Sequence, residues 1–169
     1  AETATGRYPI KAVEMIARIA RAAETSNEFT ESMAARRPRP ELSTQDAIAL
    51  AATRVAEGLP ARAIVVFTSS GSSAWRVARY RPRVPVLALT PFAEVRNSLR
   101  LAYGIRPALA PDPRESEGMV NLALEKARLE GLAEIGDQVV ITAGVPFGVT
   151  GTTNLLRVET VRGPVPEQP

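Results

Sequence analysis

The stretch AIVVFTSSGSSAWRVARY, residues 63–80, decides the fold of this 169-residue chain. Its first part, residues 64–67, is a continuous apolar run typical of a strand that is buried on both faces of a parallel sheet. A short polar loop follows at residues 68–73, and residues 74–80 have helical character. A strand, a loop and a helix in this order predict a βα unit of an α/β fold.

The polar loop consists of hydroxyl-bearing residues around one glycine, Gly71. The first N–H groups of the following helix have no acceptor within the helix, so they predict an anion site. The loop hydroxyls can donate hydrogen bonds to the same anion. The alternative is an ordinary turn in which a serine only caps the helix. The candidate anion-binding residues of this loop are Thr68, Ser69, Ser70, Gly71, Ser72 and Ser73.

Composition limits the class of protein. A hydrophobic content of 45% and a mean hydropathy of −0.04 indicate a globular domain with its own core. No apolar run approaches the ~20 residues that a membrane span requires. The chain has no cysteine and no histidine, which excludes disulfides, thiol nucleophiles, histidine bases and Cys/His metal sites. The lack of cysteine fits the cytoplasm, which is the predicted location.

The charge pattern argues against nucleic-acid binding. The net charge of +3 arises from 21 basic and 18 acidic residues, and the two signs are interspersed. Nucleic-acid-binding domains typically carry a basic stripe with stacking aromatic residues, and only 5% of the residues here are aromatic. We therefore expect a small-molecule ligand, and neither a nucleic acid nor a membrane as partner.

The N-terminal part of the chain predicts one helix and one linker. Apolar residues recur at helical spacing over residues 9–24, and Pro9 suits the first turn of a helix. We expect the apolar face of this helix to pack on a second copy of the chain or to be poorly ordered. Residues 25–42, which include Pro38 and Pro40, are typical of a linker.

Strands and helices then alternate along the chain. Ser43 and Asp46 form a capping pair at the start of a helix that Gly58 ends. Thr90 is expected to cap a later helix, with Pro91 in its first turn. The predicted helices of this part span residues 44–57, 74–80, 91–104 and 115–129. The predicted strands span residues 64–67, 84–89, 105–110, 138–142 and 155–161.

These elements predict a three-layer α/β sandwich with a five-stranded, mostly parallel sheet in the order 3-2-1-4-5. Pro107 cannot donate a ladder hydrogen bond, so its strand belongs at an edge of the sheet. No helix separates the last two strands, so the last strand is expected to pair antiparallel with the fourth. In this order the loops of residues 68–73 and 143–154 meet at the switch point, where open α/β sheets bind ligands.

Several motifs resemble those of pyruvate kinases of the bacterial type. They are Glu2-Thr3-Ala4, Gly6, Tyr8-Pro9, Thr68-x-Ser70-Gly71, Ser73-Ala74, Tyr80-Arg81-Pro82, Thr90-Pro91 and Gly151-Thr152-Thr153-Asn154-Leu155. They cover nearly the whole chain in the order and spacing of that family. The resemblance implies the end of the barrel domain at residues 1–24, a linker at 25–42, the complete C-terminal domain at 43–162 and a tail at 163–169.

The C-terminal domain of this family is an allosteric receptor, so the resemblance implies a phosphorylated effector between the two loops. Thr68, Ser69, Ser70, Gly71 and Ser73 would hold its phosphate, and Thr150, Gly151 and Thr152 would close over it. Members that bind fructose 1,6-bisphosphate tend to have a lysine at the position of Ser69, and basic and aromatic residues at the positions of residues 145–147. A sugar monophosphate or AMP is therefore a better candidate than fructose 1,6-bisphosphate.

The resemblance also implies a parent enzyme of glycolysis that transfers phosphate from phosphoenolpyruvate to ADP and uses magnesium and potassium. The catalytic and metal-binding residues of the family lie before this stretch, so we expect no catalytic residue, no metal site and no activity in the chain alone. The start at Ala1 suggests a fragment or a processed product. Two alternatives stay open: a free-standing module that binds a phosphorylated metabolite, and a structural remnant without a ligand.

The last strand predicts self-association. Arg157 and Glu159 alternate with Leu156 and Val158, which gives the strand one charged and one apolar face. An open sheet edge is usually paired, covered or charged. Members of the family form homotetramers, so the resemblance implies a two-fold contact between this strand, the helix near residues 122–129 and the same surfaces of a second copy. We expect at least a dimer.

Overall fold

The computed structural model describes residues 2–163, without the side chains of Thr30 and Ala34. It divides into two compact units, Ala1–Arg37 and Pro38–Pro169. The first unit is helical, and the second is an α/β domain. The predicted tail falls, from residue 164 on, outside the described residues.

The first unit consists of two helices, α1 (Pro9–Glu24) and α2 (Asn27–Ala35). Helix α1 spans the predicted residues and has Pro9 in its first turn. None of its residues is buried, and the side chains of its apolar face are open to solvent, with Ile10 74% and Val13 52% exposed. The packing of this face on a second copy of the chain stays a prediction.

Helix α2 lies inside the segment that the sequence predicts as a linker. The sequence predicts an irregular segment over residues 25–42, yet the centre of that segment is helical. The hydroxyl of Ser26 accepts a hydrogen bond from the N–H of Phe29 at 3.1 Å, which starts the helix. Most of the residues that follow are good helix formers, and the prolines that indicated a linker come only after the helix has ended.

The second unit is a three-layer sandwich. Its helices are α3 (Thr44–Gly58), α4 (Ser72–Arg79), α5 (Ala93–Leu99) and α6 (Ser116–Leu129). Its strands are β1 (Ala61–Phe67), β2 (Val86–Thr90), β3 (Ile105–Leu109), β4 (Gln138–Gly144) and β5 (Thr153–Thr160). The sheet has the order β3-β2-β1-β4-β5, with β5 antiparallel to β4 and the other pairs parallel. The predicted fold class and strand order are confirmed.

The core lies on both faces of the sheet because side chains alternate along β1. Ile64 and Val66 pack with α3, α4 and α5, whereas Val65 and Phe67 pack with α6 on the opposite face. Burial of one such side chain contributes about 1.5–3 kcal/mol. Val66 lies opposite Thr142 of β4, so the two loops that leave β1 and β4 begin side by side.

The structure corrects both predicted ends of α5. Thr90 is the last residue of β2, where it pairs with Leu109 and is fully buried, so it does not cap the helix. Its hydroxyl accepts a hydrogen bond from the N–H of Phe92 at 3.4 Å, and the helix begins only after Phe92. The helix ends at Leu99 because the N–H of Ala102 bonds to the carbonyl of Leu99 and tightens the chain into a turn.

A partly buried ionic cluster joins the segment before α3 to the end of α4. Ser43 caps α3 as predicted, because its hydroxyl accepts a hydrogen bond from the N–H of Asp46 at 3.2 Å. The fully buried Asp46 carboxylate accepts hydrogen bonds from the Tyr80 hydroxyl at 2.5 Å and from the N–H of Glu41 at 2.7 Å. Arg79 forms ion pairs with Glu41 and Asp46. Glu41 is thus bound to α4, although the sequence places it in a linker.

Candidate functional site

A cleft of about 470 Å³ opens at the carboxyl ends of β1 and β4. This place is the switch point of the sheet, because the chain continues from β1 to β2 on one side while β4 lies on the other. The described lining residues are 67–70, 72–73, 112–113, 143–144 and 147–153.

Gly71 shapes the first loop and does not line the cleft. It has a φ of +87° and forms the N-cap of α4. Its N–H donates a hydrogen bond to the Thr68 hydroxyl at 2.9 Å. A side chain would be strained in this left-handed conformation. In the structure Gly71 is buried and turns the chain into α4, and its predicted contact with a phosphate stays a prediction.

The start of α4 supplies backbone donors next to the cleft. The N–H of Trp75 donates to the carbonyl of Gly71 at 3.0 Å, which is the first helical bond of this turn. The N–H groups of Ser73 and Ala74 therefore lie at the open end of the helix. These groups carry the positive end of the helix dipole, which favours an anion.

Hydroxyl groups connect the two sides of the cleft. The Ser70 hydroxyl donates to the Ser72 hydroxyl at 3.0 Å within the first loop. The Ser73 hydroxyl lies 2.6 Å from the hydroxyl of Thr153, the first residue of β5. Thr153 lines the cleft but is missing from the predicted ligands, although it lies inside one of the family motifs.

The second loop, residues 145–152, is fixed by two polar side chains. The Asn154 amide bonds to both the N–H and the carbonyl of Val145, at 2.9 and 2.7 Å. Gln45 of α3 donates to the carbonyl of Gly151 at 2.7 Å. Neither Gln45 nor Asn154 is predicted as a site residue. The predicted residues Thr150, Gly151 and Thr152 all line the cleft, and their contact with a ligand stays a prediction.

The cleft carries almost no charge. Among the described residues that line it, only Asp112 has a formal charge, and none is Lys or Arg. An anion there would be stabilised by N–H and hydroxyl dipoles without an ion pair. Phosphate groups are commonly bound in this way at helix N-termini, so the cleft suits a single phosphate.

At the other end of α4 the cluster of Glu41, Asp46, Arg79 and Tyr80 shifts the pKa values of its members. Burial alone would raise the pKa of Asp46. The hydrogen bonds from Tyr80 and from the N–H of Glu41 outweigh burial and, with the charge of Arg79, hold this pKa below its ordinary value. Burial, together with the hydrogen bond to Asp46, raises the pKa of Tyr80 to about 12. The role of this cluster is structural, because it fixes α4 to the segment before α3.

Within residues 2–163 no group of three or more His, Cys, Asp or Glu side chains is placed to hold a metal ion. None of the described helices combines the length and the apolar composition that crossing a bilayer requires. The resemblance implies that the parent enzyme uses magnesium and potassium, and we assign neither ion to a residue of this chain.

The fold and the cleft define an open α/β domain with a ligand site at its switch point. The family model described as "Pyruvate kinase, alpha/beta domain" matches residues 46–159, and the chain belongs to this family. The resemblance that the motifs indicate is thereby confirmed.

Several curated relatives carry the name pyruvate kinase. The chain is 41% identical to the pyruvate kinase of Methylorubrum extorquens over 158 residues, which cover 94% of this chain and 33% of that protein. It is 38% identical to the one of Clostridium acetobutylicum over 160 residues, 95% of this chain and 34% of that protein. For Geobacillus stearothermophilus the identity is 38% over 160 residues, 95% and 27% of the two chains. The chain thus spans about a third or less of the length of these relatives.

Proposed function

We propose that this chain is the C-terminal regulatory and oligomerisation domain of a pyruvate kinase, and that it binds a phosphorylated metabolite in the cleft between residues 68–73 and 145–152. The whole protein would transfer phosphate from phosphoenolpyruvate to ADP in the cytoplasm, in keeping with the name of its relatives. The observation that supports this most is the convergence of a hydroxyl-rich loop and the start of α4 on the switch-point cleft.

A phosphate group fits the donors at the start of α4. Its oxygens would accept hydrogen bonds from the N–H groups of Ser73 and Ala74 and from the Ser70 hydroxyl. The Ser70 hydroxyl otherwise donates to Ser72, which is a neutral pair on an exposed surface. Replacing the Ser72 hydroxyl by a charged phosphate oxygen as the acceptor of this bond is favourable. Hydrogen bonds to charged groups contribute about 1.5–3 kcal/mol, whereas neutral ones contribute about 1 kcal/mol.

The second loop would enclose the rest of the ligand. The contact between Ser73 and Thr153 already joins the two sides of the cleft, and Gln45 fixes the loop from outside. A ligand that contacts both loops binds their closed arrangement better than an open one, and it shifts the population accordingly. Such a shift is the step by which the domain would regulate the whole protein.

Phosphoryl transfer itself is assigned to no residue of this chain. The reaction depends on positioning and on metal ions and cationic side chains that stabilise the transferred group. Magnesium and potassium would supply that stabilisation in the whole protein. The residues of this chain would bind, orient and enclose the regulatory ligand.

Thermal unfolding of the full chain with added ligands tests the proposal. We expect a sugar monophosphate or AMP to raise the melting temperature, because the ligand binds only the folded state. Ser70→Ala should weaken binding roughly tenfold or more, because it removes the hydroxyl of Ser70, which donates to the charged phosphate. Ser98→Ala, which changes an exposed serine of α5 outside the cleft, is the matched control and should bind normally. The proposal is wrong if no phosphorylated compound raises the melting temperature.

Kinase assays on the whole protein distinguish a regulatory domain from a free-standing binding module. A regulatory domain changes the rate of phosphoryl transfer when its cleft is filled, and Ser70→Ala should shift that response to roughly tenfold higher ligand concentrations. A free-standing module binds the same ligand without any effect on phosphoryl transfer.

A further inference from the structure

Both walls of the cleft contact the start of α3 from outside the cleft. One wall is the first loop with α4, whose last residue Arg79 forms an ion pair with Glu41. The other wall is the second loop, where the carbonyl of Gly151 accepts a hydrogen bond from Gln45 at 2.7 Å. We call residues 41–46 the strap. The strap bridges from outside the same two walls that a ligand would bridge from inside.

The strap is anchored to α4 at Asp46. This side chain is fully buried, and its Oδ2 accepts hydrogen bonds from the Tyr80 hydroxyl at 2.5 Å and from the N–H of Glu41 at 2.7 Å. Its Oδ1 accepts no hydrogen bond from the described residues and lies 3.6 Å from Nη1 of Arg79. Removing the partner of a buried carboxylate is strongly destabilising, so this end of the strap stays on α4.

The other contacts of the strap are exposed and can break at little cost. The Glu41 carboxylate is 53% exposed and accepts a hydrogen bond from Arg76 at 3.0 Å at one oxygen and from Arg79 at the other. The hydrogen bond from Gln45 to Gly151 also lies at the surface. Exposed pairs of this kind contribute little to stability. They can therefore respond to a ligand, which the buried anchor cannot.

The strap continues the connection through which the chain enters the second unit from α2. Pro38 and Pro40 restrict the backbone of this connection. Arg79, which binds Glu41, also donates a hydrogen bond to the carbonyl of Arg39 at 3.2 Å. Because one arginine holds both the strap and the connection, release of Glu41 from α4 would loosen the connection as well.

We propose that the strap links closure of the cleft to the attachment of this connection. A ligand that contacts both walls favours their closed arrangement from inside, and the strap favours the same arrangement from outside. Two interactions that favour one arrangement strengthen each other, and the effect is reciprocal. The inference rests on the proposed function and adds a means of regulation. A filled cleft holds Glu41 on α4, whereas an empty cleft releases it more often.

Calorimetric titration of the full chain tests the effect of the strap on the cleft. The double variant Glu41→Gln and Gln45→Ala removes the exposed contacts, and neither residue lines the cleft. We expect the variant to bind glucose 6-phosphate or AMP, whichever binds the native chain more tightly, roughly three- to tenfold more weakly. Inorganic phosphate should bind unchanged, because its proposed donors all lie on one wall. Glu57→Gln breaks the 3.9 Å ion pair with Arg54 near the other end of α3 and should change neither affinity.

Amide hydrogen exchange of the full chain tests the reciprocal effect. The N–H of Glu41 donates to Asp46, and the N–H of Ser43 donates to the carbonyl of Glu41 at 2.8 Å. The ligand should slow the exchange of both N–H groups in the native chain, although neither residue lines the cleft. The double variant should lose this slowing at saturating ligand. The N–H of Gly131, which bonds to Arg128 after the end of α6, should exchange at the same rate with and without ligand.

The outcomes separate this inference from the proposed function. Weaker binding of the larger ligand alone, together with slower exchange at Glu41 and Ser43, supports the strap. An equal loss of affinity for inorganic phosphate shows damage to the phosphate site and overturns the inference. Unchanged affinity in the double variant, or exchange at Ser43 that ignores the ligand, also overturns it and leaves the phosphate site intact. If no phosphate compound binds the native chain, the phosphate site is wrong and the inference is wrong with it.

Discussion

Replacement of Tyr80 by phenylalanine should destabilise the second unit by about 2 kcal/mol, within the usual contribution of a hydrogen bond to a charged group. The Tyr80 hydroxyl donates to the Asp46 carboxylate at 2.5 Å, and both side chains are fully buried. Phenylalanine keeps the ring, so the packing of the core changes little. The loss comes from the buried carboxylate, which keeps its charge but has one donor fewer.

The size of this loss should depend on pH. The pKa of Asp46 is held below its ordinary value in the folded chain. Its carboxylate therefore stabilises the fold above the pKa of the unfolded chain, and that contribution disappears as the pH falls through the folded pKa. Tyr80→Phe weakens the depression of this pKa. The difference in the free energy of unfolding between variant and native chain should be largest near neutral pH and should shrink below about pH 4.

Urea unfolding followed by circular dichroism measures both effects. Tyr103→Phe is the matched control, because it removes the same hydroxyl group from a tyrosine that is 43% exposed. The centre of the Tyr103 ring lies 4.1 Å from the guanidinium carbon of Arg81, and phenylalanine keeps that ring. The control should stay within about 0.5 kcal/mol of the native chain. If Tyr80→Phe is no more harmful than Tyr103→Phe, the Asp46 cluster does not stabilise the second unit.

Three further predictions concern the titration of Tyr80, the second loop and self-association. Ultraviolet titration should show one of the three tyrosines with a pKa of about 12, and Tyr80→Phe should remove that step. Because this pKa is raised in the folded chain, it stabilises the fold below about pH 10, and that contribution is lost as the pH rises toward the folded pKa. Gly144→Ala should weaken glucose 6-phosphate binding in calorimetry, because an added Cβ would collide with the hydroxyl and backbone of Thr152, and normal affinity would show that the second loop does not contact the ligand. In sedimentation the chain should form at least a dimer through β5 and α6, and a single species of 18.1 kDa would refute this.

The strand order could be predicted because two local features fix it. Pro107 restricts its strand to an edge, and the connection between β4 and β5 is too short for a parallel crossover. The hydroxyl-rich loops then meet at the switch point as a consequence of the order. These steps need only local patterns and general rules of α/β topology.

Local sequence patterns gave wrong predictions where a contact between residues far apart in the chain determines the structure. Thr90 and Pro91 are typical of a helix start, but pairing with β3 extends the strand through Thr90. Glu41 sits among prolines and arginines, and only its ion pairs with α4 show that it belongs to the second unit.

The candidate site shows the same division between local and distant signals. The composition of residues 68–73 is enough to predict an anion-binding loop. Gln45, in contrast, belongs to no motif, and its hydrogen-bond partner Gly151 lies 106 residues away in the chain. Asp46 and Tyr80 are 34 residues apart, and no periodicity relates them. Asp112 reaches the cleft through the β3–α6 connection, which sequence spacing does not reveal.

Amide NMR of the full chain during titration with inorganic phosphate, and then with glucose 6-phosphate, tests the phosphate site most directly. We expect the amide signals of Ser73 and Ala74 to shift first and most, because their N–H groups lie at the open end of α4. With the sugar phosphate, signals of residues 150–152 should shift as well. Shifts confined to arginine-bearing surface, such as that around Arg157 and Arg162, with the α4 signals unchanged, would contradict a phosphate site in this cleft.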